Sequence, residues 1–287
     1  MSKKSNIAIV LLASLFLLLG TFFVTYKSDF IYIGYEYFAR LGRNYQMETV
    51  DVSGVPMLQT SFEDLDALKN TSVDESLLLI NSRYKIPDLG SPELVAVGDK
   101  QIHVCAQQAF LALDLYVTER YGDSLRIASA YRTADHQQDV ISTSKGDTAA
   151  AVGASEHQYG LGIDVGVEGY GGRAFLKTKI GRYVNSFCHE YGFIIRYPLE
   201  SSEITGISYE PWHIRYVGTP HAEIIYKSGM TLEEYVDSLE IGEFYVYDKY
   251  WISRQDPDAV RVPENYVACH ASLDNTGYCI VTVIMPE

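Results

Sequence analysis

Two histidines and one aspartate are spaced along the chain as the ligands of a catalytic metal ion would be. His157 and Asp164 lie in the segment Ser155-Glu-His-Gln-Tyr-Gly-Leu-Gly-Ile-Asp164, and His213 ends the downstream segment Glu210-Pro-Trp-His213. Two imidazoles and one carboxylate form a standard shell for catalytic zinc, which keeps its fourth position open for water. Either segment alone is a weak signal. Together they predict a zinc site formed by these three residues.

A zinc site that hydrolyses peptides also needs a proton carrier and a group that stabilises developing negative charge. Glu210 is the candidate general base. In a regular strand it would face away from His213, so its role requires a bend near Pro211. Arg132 follows a predicted strand and is the candidate for stabilising the oxyanion. Gln137, about one helical turn further on, can supply amide hydrogen bonds.

The elements predicted around these residues are strands that place the candidate ligands on one face. In residues 160–167 the apolar positions alternate and leave Asp164 on the opposite face. In residues 212–216 the same alternation places His213 and Arg215 together. Both ligands are therefore expected to face a cleft.

Helices and further strands complete an α+β pattern. Helical spacing predicts helices over residues 106–121 and 175–191, each followed by a glycine suited to a C-terminal cap. Residues 231–234 read as a capping box that opens another helix. Beyond residue 243 short strand patterns dominate. This mixture indicates one α+β core with a β-rich region after it.

The N-terminal end predicts a membrane anchor. An apolar run from Ile7 to Val24 has about the minimum length of a membrane-spanning helix. A retained anchor is favoured over a cleaved signal peptide, because no small-residue cleavage pattern follows the run. Lys3 and Lys4 place the N-terminus in the cytoplasm, so the catalytic domain is expected outside the cell.

Composition and pattern suggest four parts and exclude one class of partner. We expect an anchor over residues 1–27, a stalk and N-terminal extension over 28–94, a zinc domain over 95–240 and a small β-rich appendage over 241–287. The formal net charge of -14 argues against nucleic acid binding, which needs a basic surface.

The four cysteines suggest one possible disulfide. Cys269 and Cys279 flank a strong turn signal, so a hairpin could place them opposite one another. Cys105 and Cys188 are equally well explained as buried thiols.

The order and spacing of the motifs resemble a known family. Between about Val104 and Ile225 the chain is similar to the VanY-type zinc D-alanyl-D-alanine carboxypeptidases. The motifs that carry the resemblance are Ser129-Ala-Tyr-Arg-Thr133 with Gln137, Ser155-x-His157 running to Asp164, Ile194-Ile-Arg-Tyr-Pro198, Ile204-Thr-Gly206 and Tyr209-Glu-Pro-Trp-His-Ile-Arg-Tyr-Val-Gly218. One departure is Gly162, which stands where alanine is common.

The resemblance implies a compact zinc D-Ala-D-Ala peptidase fold with a central antiparallel sheet. It implies the same zinc ligands and the same general base as the residues suggest. It also implies that Arg132 binds substrate and stabilises the transition state, and that Gln137 and Ser155 contact the terminal D-Ala-D-Ala.

The activity that the resemblance implies is removal of the last D-Ala from peptidoglycan pentapeptides, with a role in glycopeptide (vancomycin) resistance or wall remodelling. Two relatives with nearly the same motifs remain open: L,D-carboxypeptidases that act on tetrapeptides and dipeptidases that act on free D-Ala-D-Ala. A wall-binding module without catalysis is the alternative from another class, and the presence of Glu210 disfavours it.

Overall fold

The structure is a computed structural model that describes residues 14–18, 20–21, 28–86, 90–143 and 149–286. Most of the predicted anchor therefore lies outside the described residues. Within the described residues, no helix is both long and apolar enough to cross a bilayer.

Strands and helices alternate between residues 100 and 228, and runs of consecutive strands lie before and after that segment. The strands are β1 (Glu48–Thr49), β2 (Met57–Thr60), β3 (Thr71–Asp74), β4 (Leu94–Val97), β5 (Lys100–His103), β6 (Arg126–Ser129), β7 (Gly162–Gly166), β8 (Phe193–Ile195), β9 (His213–Tyr216), β10 (Phe244–Tyr247), β11 (Tyr250–Gln255), β12 (Val260–Pro263), β13 (Ala268–Leu273) and β14 (Cys279–Ile284). The helices after residue 27 are α1 (Ser28–Leu41), α2 (Gln107–Tyr121), α3 (Ala134–Thr143), α4 (Lys179–Phe187), α5 (Ser202–Thr205), α6 (His221–Ser228) and α7 (Leu232–Ser238).

The sheet that carries the predicted ligands has four strands in the order β6-β7-β9-β8, and every neighbouring pair is antiparallel. One face of this sheet is apolar and packs against α2 and α4 through a cluster that includes Phe110, Ile163, Val165, Val184 and Ile214. The predicted central antiparallel sheet is confirmed. The opposite face is left for the polar residues of the site.

Two predictions about helix ends are confirmed, and one prediction of a continuous helix is wrong. Helix α2 ends at Gly122 in the left-handed conformation, and α7 begins with the predicted capping box of Thr231 and Glu234. The single helix predicted over 175–191 is instead broken at Thr178, whose hydroxyl caps α4. The tight approach behind the break requires glycine, since a Cβ at Gly181 would overlap the carbonyl oxygen of Phe175.

The segment predicted as a stalk is part of the folded body. A second sheet has the order β1-β10-β11-β14-β13-β3, and β2 pairs with β12, so three strands before residue 75 pair with strands after residue 243. Helix α1, which the pattern did not predict, is also docked: Arg40 donates hydrogen bonds to the carbonyl oxygens of Leu199 (2.5 Å) and Gly229 (2.9 Å). The β-rich C-terminal region is therefore completed by the N-terminal segment and is not a separate appendage.

The six-stranded second sheet shares an apolar interface with the four-stranded sheet, which is called the catalytic sheet from here on because it carries the predicted ligands. Helices α6 and α7 contribute to this interface, and its buried cluster joins residues that are distant in sequence: Leu77, Leu79, Ile194, Val217, Ile225, Val236, Tyr245, Ile252 and Ile280. Burying apolar surface is the main favourable term in folding. The cluster thus joins the two sheets into a continuous core.

The predicted Cys269–Cys279 disulfide is wrong. Both cysteines lie in the β13–β14 hairpin, but Cys269 pairs with Val283 and Cys279 pairs with Leu273 at the other end of the hairpin. The hairpin is centred on Thr276, two residues past the midpoint between the two cysteines, so the two side chains cannot meet. In the described structure all of the cysteines are free thiols.

Candidate active site with a metal centre

The three predicted ligands come together at the polar face of the catalytic sheet. Asp164 on β7 and His213 on β9 are directly paired across neighbouring strands. His157 lies in a short 3-10 turn, Glu156–Tyr159, immediately before β7. One ligand atom from each of these residues lies within 4.8 Å of the other two. Residues far apart in sequence therefore converge on a single point.

The distances among the donor atoms suit one bound ion. Nδ1 of His213 lies 3.0 Å from Oδ1 of Asp164, and Nε2 of His157 lies 3.4 Å from Oδ2 of the same carboxylate. Donors of a tetrahedral zinc ion, each about 2.0–2.1 Å from the metal, are separated by about 3.4 Å. Oδ1 of Asp164 is buried and accepts no hydrogen bond from the described residues. The donor set therefore fits zinc.

The backbone of the β6 end holds His157 in the orientation that a metal requires. Nδ1 of His157 lies 2.8 Å from the carbonyl oxygen of Ala130, and the amide of Arg132 donates to the carbonyl oxygen of His157 at 2.9 Å. A histidine that donates through one ring nitrogen presents the other, unprotonated, to the metal. In His157 the free nitrogen is Nε2, which faces Asp164.

Glu210 lies beside the ligands because the chain bends before β9. The amide of His213 donates to the carbonyl oxygen of Glu210 at 3.1 Å, closing a turn around Pro211. This is the bend that the proposed role of Glu210 requires. Oε2 of Glu210 lies 3.7 Å from Nδ1 of His213. Burial raises the pKa of Glu210 to about 7, against the opposing effect of His213. A carboxylate with this pKa can both accept and donate a proton near neutral pH.

Arg132 contacts the site directly. Its Nη2 donates to Oδ2 of Asp164 at 3.1 Å, and its Nε donates to the hydroxyl of Ser129 at 2.9 Å. Gln137 accepts from Nη1 of Arg132 at 3.1 Å and donates to the carbonyl oxygen of Ala150 at 2.8 Å. The contacts of Gln137 thus orient the arginine and the loop beside it. A contact of Gln137 with substrate stays a prediction.

A cleft of about 500 Å³ opens over the donor atoms. Ser155 lies at its wall, and the hydroxyl of Ser155 does not cap the turn that follows it. Arg173, which the sequence did not single out, also lines the cleft. Trp212 serves two purposes, since it packs against the apolar cluster and borders the cleft.

Three buried charged residues behind the site were also missed. Glu156, Arg196 and Arg215 are fully buried, and both arginines lie 2.6 Å from one carboxylate oxygen of Glu156. Two signals in the sequence could have found them. Glu156 stands inside the ligand motif, and the strand alternation had already placed Arg215 on the same face as His213.

A histidine pair, a carboxylate ligand and a neighbouring glutamate on an antiparallel sheet define a zinc metallopeptidase. A family model described as VanY, D-alanyl-D-alanine carboxypeptidase, matches residues 99–219. A D-alanyl-D-alanine carboxypeptidase of Enterococcus faecalis (strain ATCC 700802 / V583) is 32% identical over 207 residues, covering 65% of this chain and 76% of the relative. The chain belongs to the VanY family of D-alanyl-D-alanine carboxypeptidases.

Solved structures of related proteins agree with this assignment. A mutant of the vancomycin resistance D,D-pentapeptidase VanY from a VanB-type resistance cassette, in complex with Zn(II), is 31% identical with a TM-score of 0.50, covering 56% of this chain and 98% of that one. The vancomycin resistance D,D-dipeptidase VanXYg, in complex with a D-Ala-D-Ala phosphinate analogue, is 26% identical with a TM-score of 0.62, covering 80% of this chain and 99% of that one.

Proposed function

We propose that this protein is a zinc-dependent D,D-carboxypeptidase that removes the terminal D-Ala from peptidoglycan pentapeptides. One observation carries the proposal: the donor atoms of His157, Asp164 and His213 converge beside Glu210 in an open cleft. Membership of the VanY family and the similarity to the Enterococcus faecalis D-alanyl-D-alanine carboxypeptidase support peptides ending in D-Ala-D-Ala as the substrate class.

The residues around the donor set supply the steps of hydrolysis. Zinc held by the three ligands would polarise the scissile carbonyl and lower the pKa of the attacking water. Glu210 accepts the proton of that water and returns it to the amine nitrogen of the leaving D-Ala. Arg132, whose guanidinium already contacts the ligand carboxylate, is placed to balance the negative charge that develops on the carbonyl oxygen.

The cleft suits a peptide chain. Its volume lies in the range of about 300–1,000 Å³ that is usual for sites binding ligands of drug size. Ser155 and Gln137 at its wall are the proposed contacts of the terminal D-Ala-D-Ala. Loss of the last D-Ala changes the end of the wall peptide, so we also propose a role in glycopeptide resistance or wall remodelling.

We expect the highest kcat/KM on a pentapeptide ending in D-Ala-D-Ala when D-Ala release is compared for pentapeptide, tetrapeptide and free dipeptide. Chelation should abolish the release, and added zinc should restore it, because the attacking water is activated only beside the ion. The three rates are compared at equal enzyme concentration from a mass-spectrometric count of released D-Ala, halved for the free dipeptide because each cleavage of it yields two D-Ala.

Other outcomes of the comparison assign a different activity. A higher kcat/KM on tetrapeptide would make the protein an L,D-carboxypeptidase, and a higher value on the free dipeptide would make it a dipeptidase. Binding of pentapeptide by the zinc-loaded protein without release of D-Ala would identify a wall-binding module.

We further propose that the enzyme is a single-pass membrane protein with its N-terminus in the cytoplasm and its catalytic domain outside the cell. The apolar run from Ile7 to Val24 after Lys3 and Lys4 supports this placement. The full chain should fractionate with membranes and be digested by protease added to intact protoplasts. A variant lacking residues 2–27 should stay in the soluble fraction. Recovery of a mature form that begins after residue 24 would instead identify a cleaved signal peptide.

A further inference from the structure

The feature of interest is the carboxylate of Glu156, which lies on the far side of His213 from the donor set. Glu156 is fully buried. It precedes the ligand His157 in the 3-10 turn, and its side chain points into the protein behind His213. Its two oxygens have different surroundings, and the difference suggests what each one does.

One oxygen of Glu156 is held by two arginines. Oε1 accepts a hydrogen bond from Nε of Arg196 and another from Nη1 of Arg215, both at 2.6 Å. Arg196 also donates to both oxygens of Glu233, at 2.9 and 2.6 Å. Arg215 donates to the carbonyl oxygens of Ser76 and Leu78, each at 2.8 Å. Each charge is matched, so the carboxylate of Glu156 is fixed in place.

The other oxygen of Glu156 faces His213. Oε2 lies 3.6 Å from Nε2 of His213. Both atoms are buried, and neither has a hydrogen-bond partner among the residues that the structure describes. A buried polar atom without a partner is costly, so two such atoms facing each other call for an explanation. Nδ1 of His213 is the nitrogen that points to the donor set, which leaves Nε2 as the nitrogen that can carry a proton.

The backbone at Gly162 packs closely against the same edge of the His213 imidazole that faces Glu156. A Cβ at Gly162 would lie 2.8 Å from Nε2 of His213 and 3.2 Å from Cβ of Glu156. The backbone of β7 therefore leaves this edge of the ring little room to move beside the carboxylate.

We propose that Glu156 is a positioning residue for His213: its Oε2 accepts the Nε2 proton and so holds the ring with Nδ1 unprotonated and facing the zinc. The inference rests on the proposed zinc site. A carboxylate behind a ligating histidine fixes the tautomer and the ring orientation and makes the ring a stronger ligand. The simpler role, a counter-ion for two buried arginines, would leave the affinity for zinc untouched.

The test compares Glu156→Gln with Glu233→Gln. Both variants remove one carboxylate from the same buried network, but Glu233 does not face His213. In Glu156→Gln the amide oxygen stays with the arginines, so the NH2 group meets the Nε2 proton of His213, donor against donor. We expect both variants to lower the Tm. Only Glu156→Gln should weaken zinc binding, by about 10- to 100-fold, in competition with a chromogenic chelator.

Glu156→Asp is a second variant that keeps the test possible if Glu156→Gln does not fold. It keeps the negative charge for the arginines but draws the carboxylate away from His213, so it should also weaken zinc binding while Glu233→Gln does not. Unchanged zinc affinity in folded Glu156→Gln would overturn the proposal, as would equal losses in Glu156→Gln and Glu233→Gln. Because the measurement is zinc binding, a wild-type protein that binds zinc but releases no D-Ala would refute the proposed function and leave this test intact.

Discussion

Replacing Glu210 with glutamine should lower kcat on a pentapeptide by on the order of 10³-fold and leave zinc bound, because a general base contributes roughly that much. The amide has nearly the shape of the carboxylate but cannot accept the proton of the attacking water. Glu210 is not one of the three donor residues, so the metal site should persist. Rates of D-Ala release and the zinc content of the same samples measure both effects.

Glu203→Gln is the matched control for this experiment. Glu203 is an exposed glutamate in α5, a few residues before Glu210, and it does not line the cleft. The control should keep wild-type kcat. Near-normal turnover in Glu210→Gln would remove Glu210 from the role of base, and loss of zinc in that variant would make it a ligand.

Replacing His213 with alanine should remove zinc and turnover together. His213 supplies one of three ligand atoms and lies directly opposite Asp164, so its loss leaves two donors for the ion. With no zinc to lower the pKa of the water towards 7, the rate should fall to the uncatalysed background. Zinc content after dialysis and D-Ala release from pentapeptide are the two measurements.

His136→Ala controls for the loss of a histidine near the cleft. His136 lies in α3, is exposed, and is not part of the donor set. It should keep both zinc and activity. Full zinc occupancy in His213→Ala would show that the ion is held elsewhere, and the assigned metal site would then be wrong.

The site was largely predictable because its signals are local. Alternation along β7 and β9 is enough to place Asp164 and His213 on one face, away from the apolar positions that pack against α2 and α4. The turn around Pro211 could also be predicted, because Glu210 can act as the base only if the chain bends there. Glu156 was harder to assign, since its role depends on Arg196 and Arg215, which lie far along the chain.

The surroundings of the site were predicted less well because they depend on long-range pairing. Strand β3 pairs in parallel with β13, which lies almost two hundred residues later in the chain. No local sequence pattern predicts a strand pair at that separation. The apparent disulfide failed for a related reason, since the position of a hairpin turn sets the register of the whole pair. The turn does fall between the two cysteines, but they are not equidistant from it.

Both ends of the chain share one sheet, so the folded body extends beyond the segment that matches the family model. Residues 99–219, which match the family, include Arg215 but lack the Ser76 and Leu78 carbonyls to which it donates. They also lack most of the apolar side chains that cover Ile194 and Val217. Expressed alone, this segment would carry an uncovered hydrophobic surface, and Arg215 would lose two of its hydrogen-bond acceptors. In this protein the buried side of the catalytic module is therefore completed by segments before residue 99 and after residue 219.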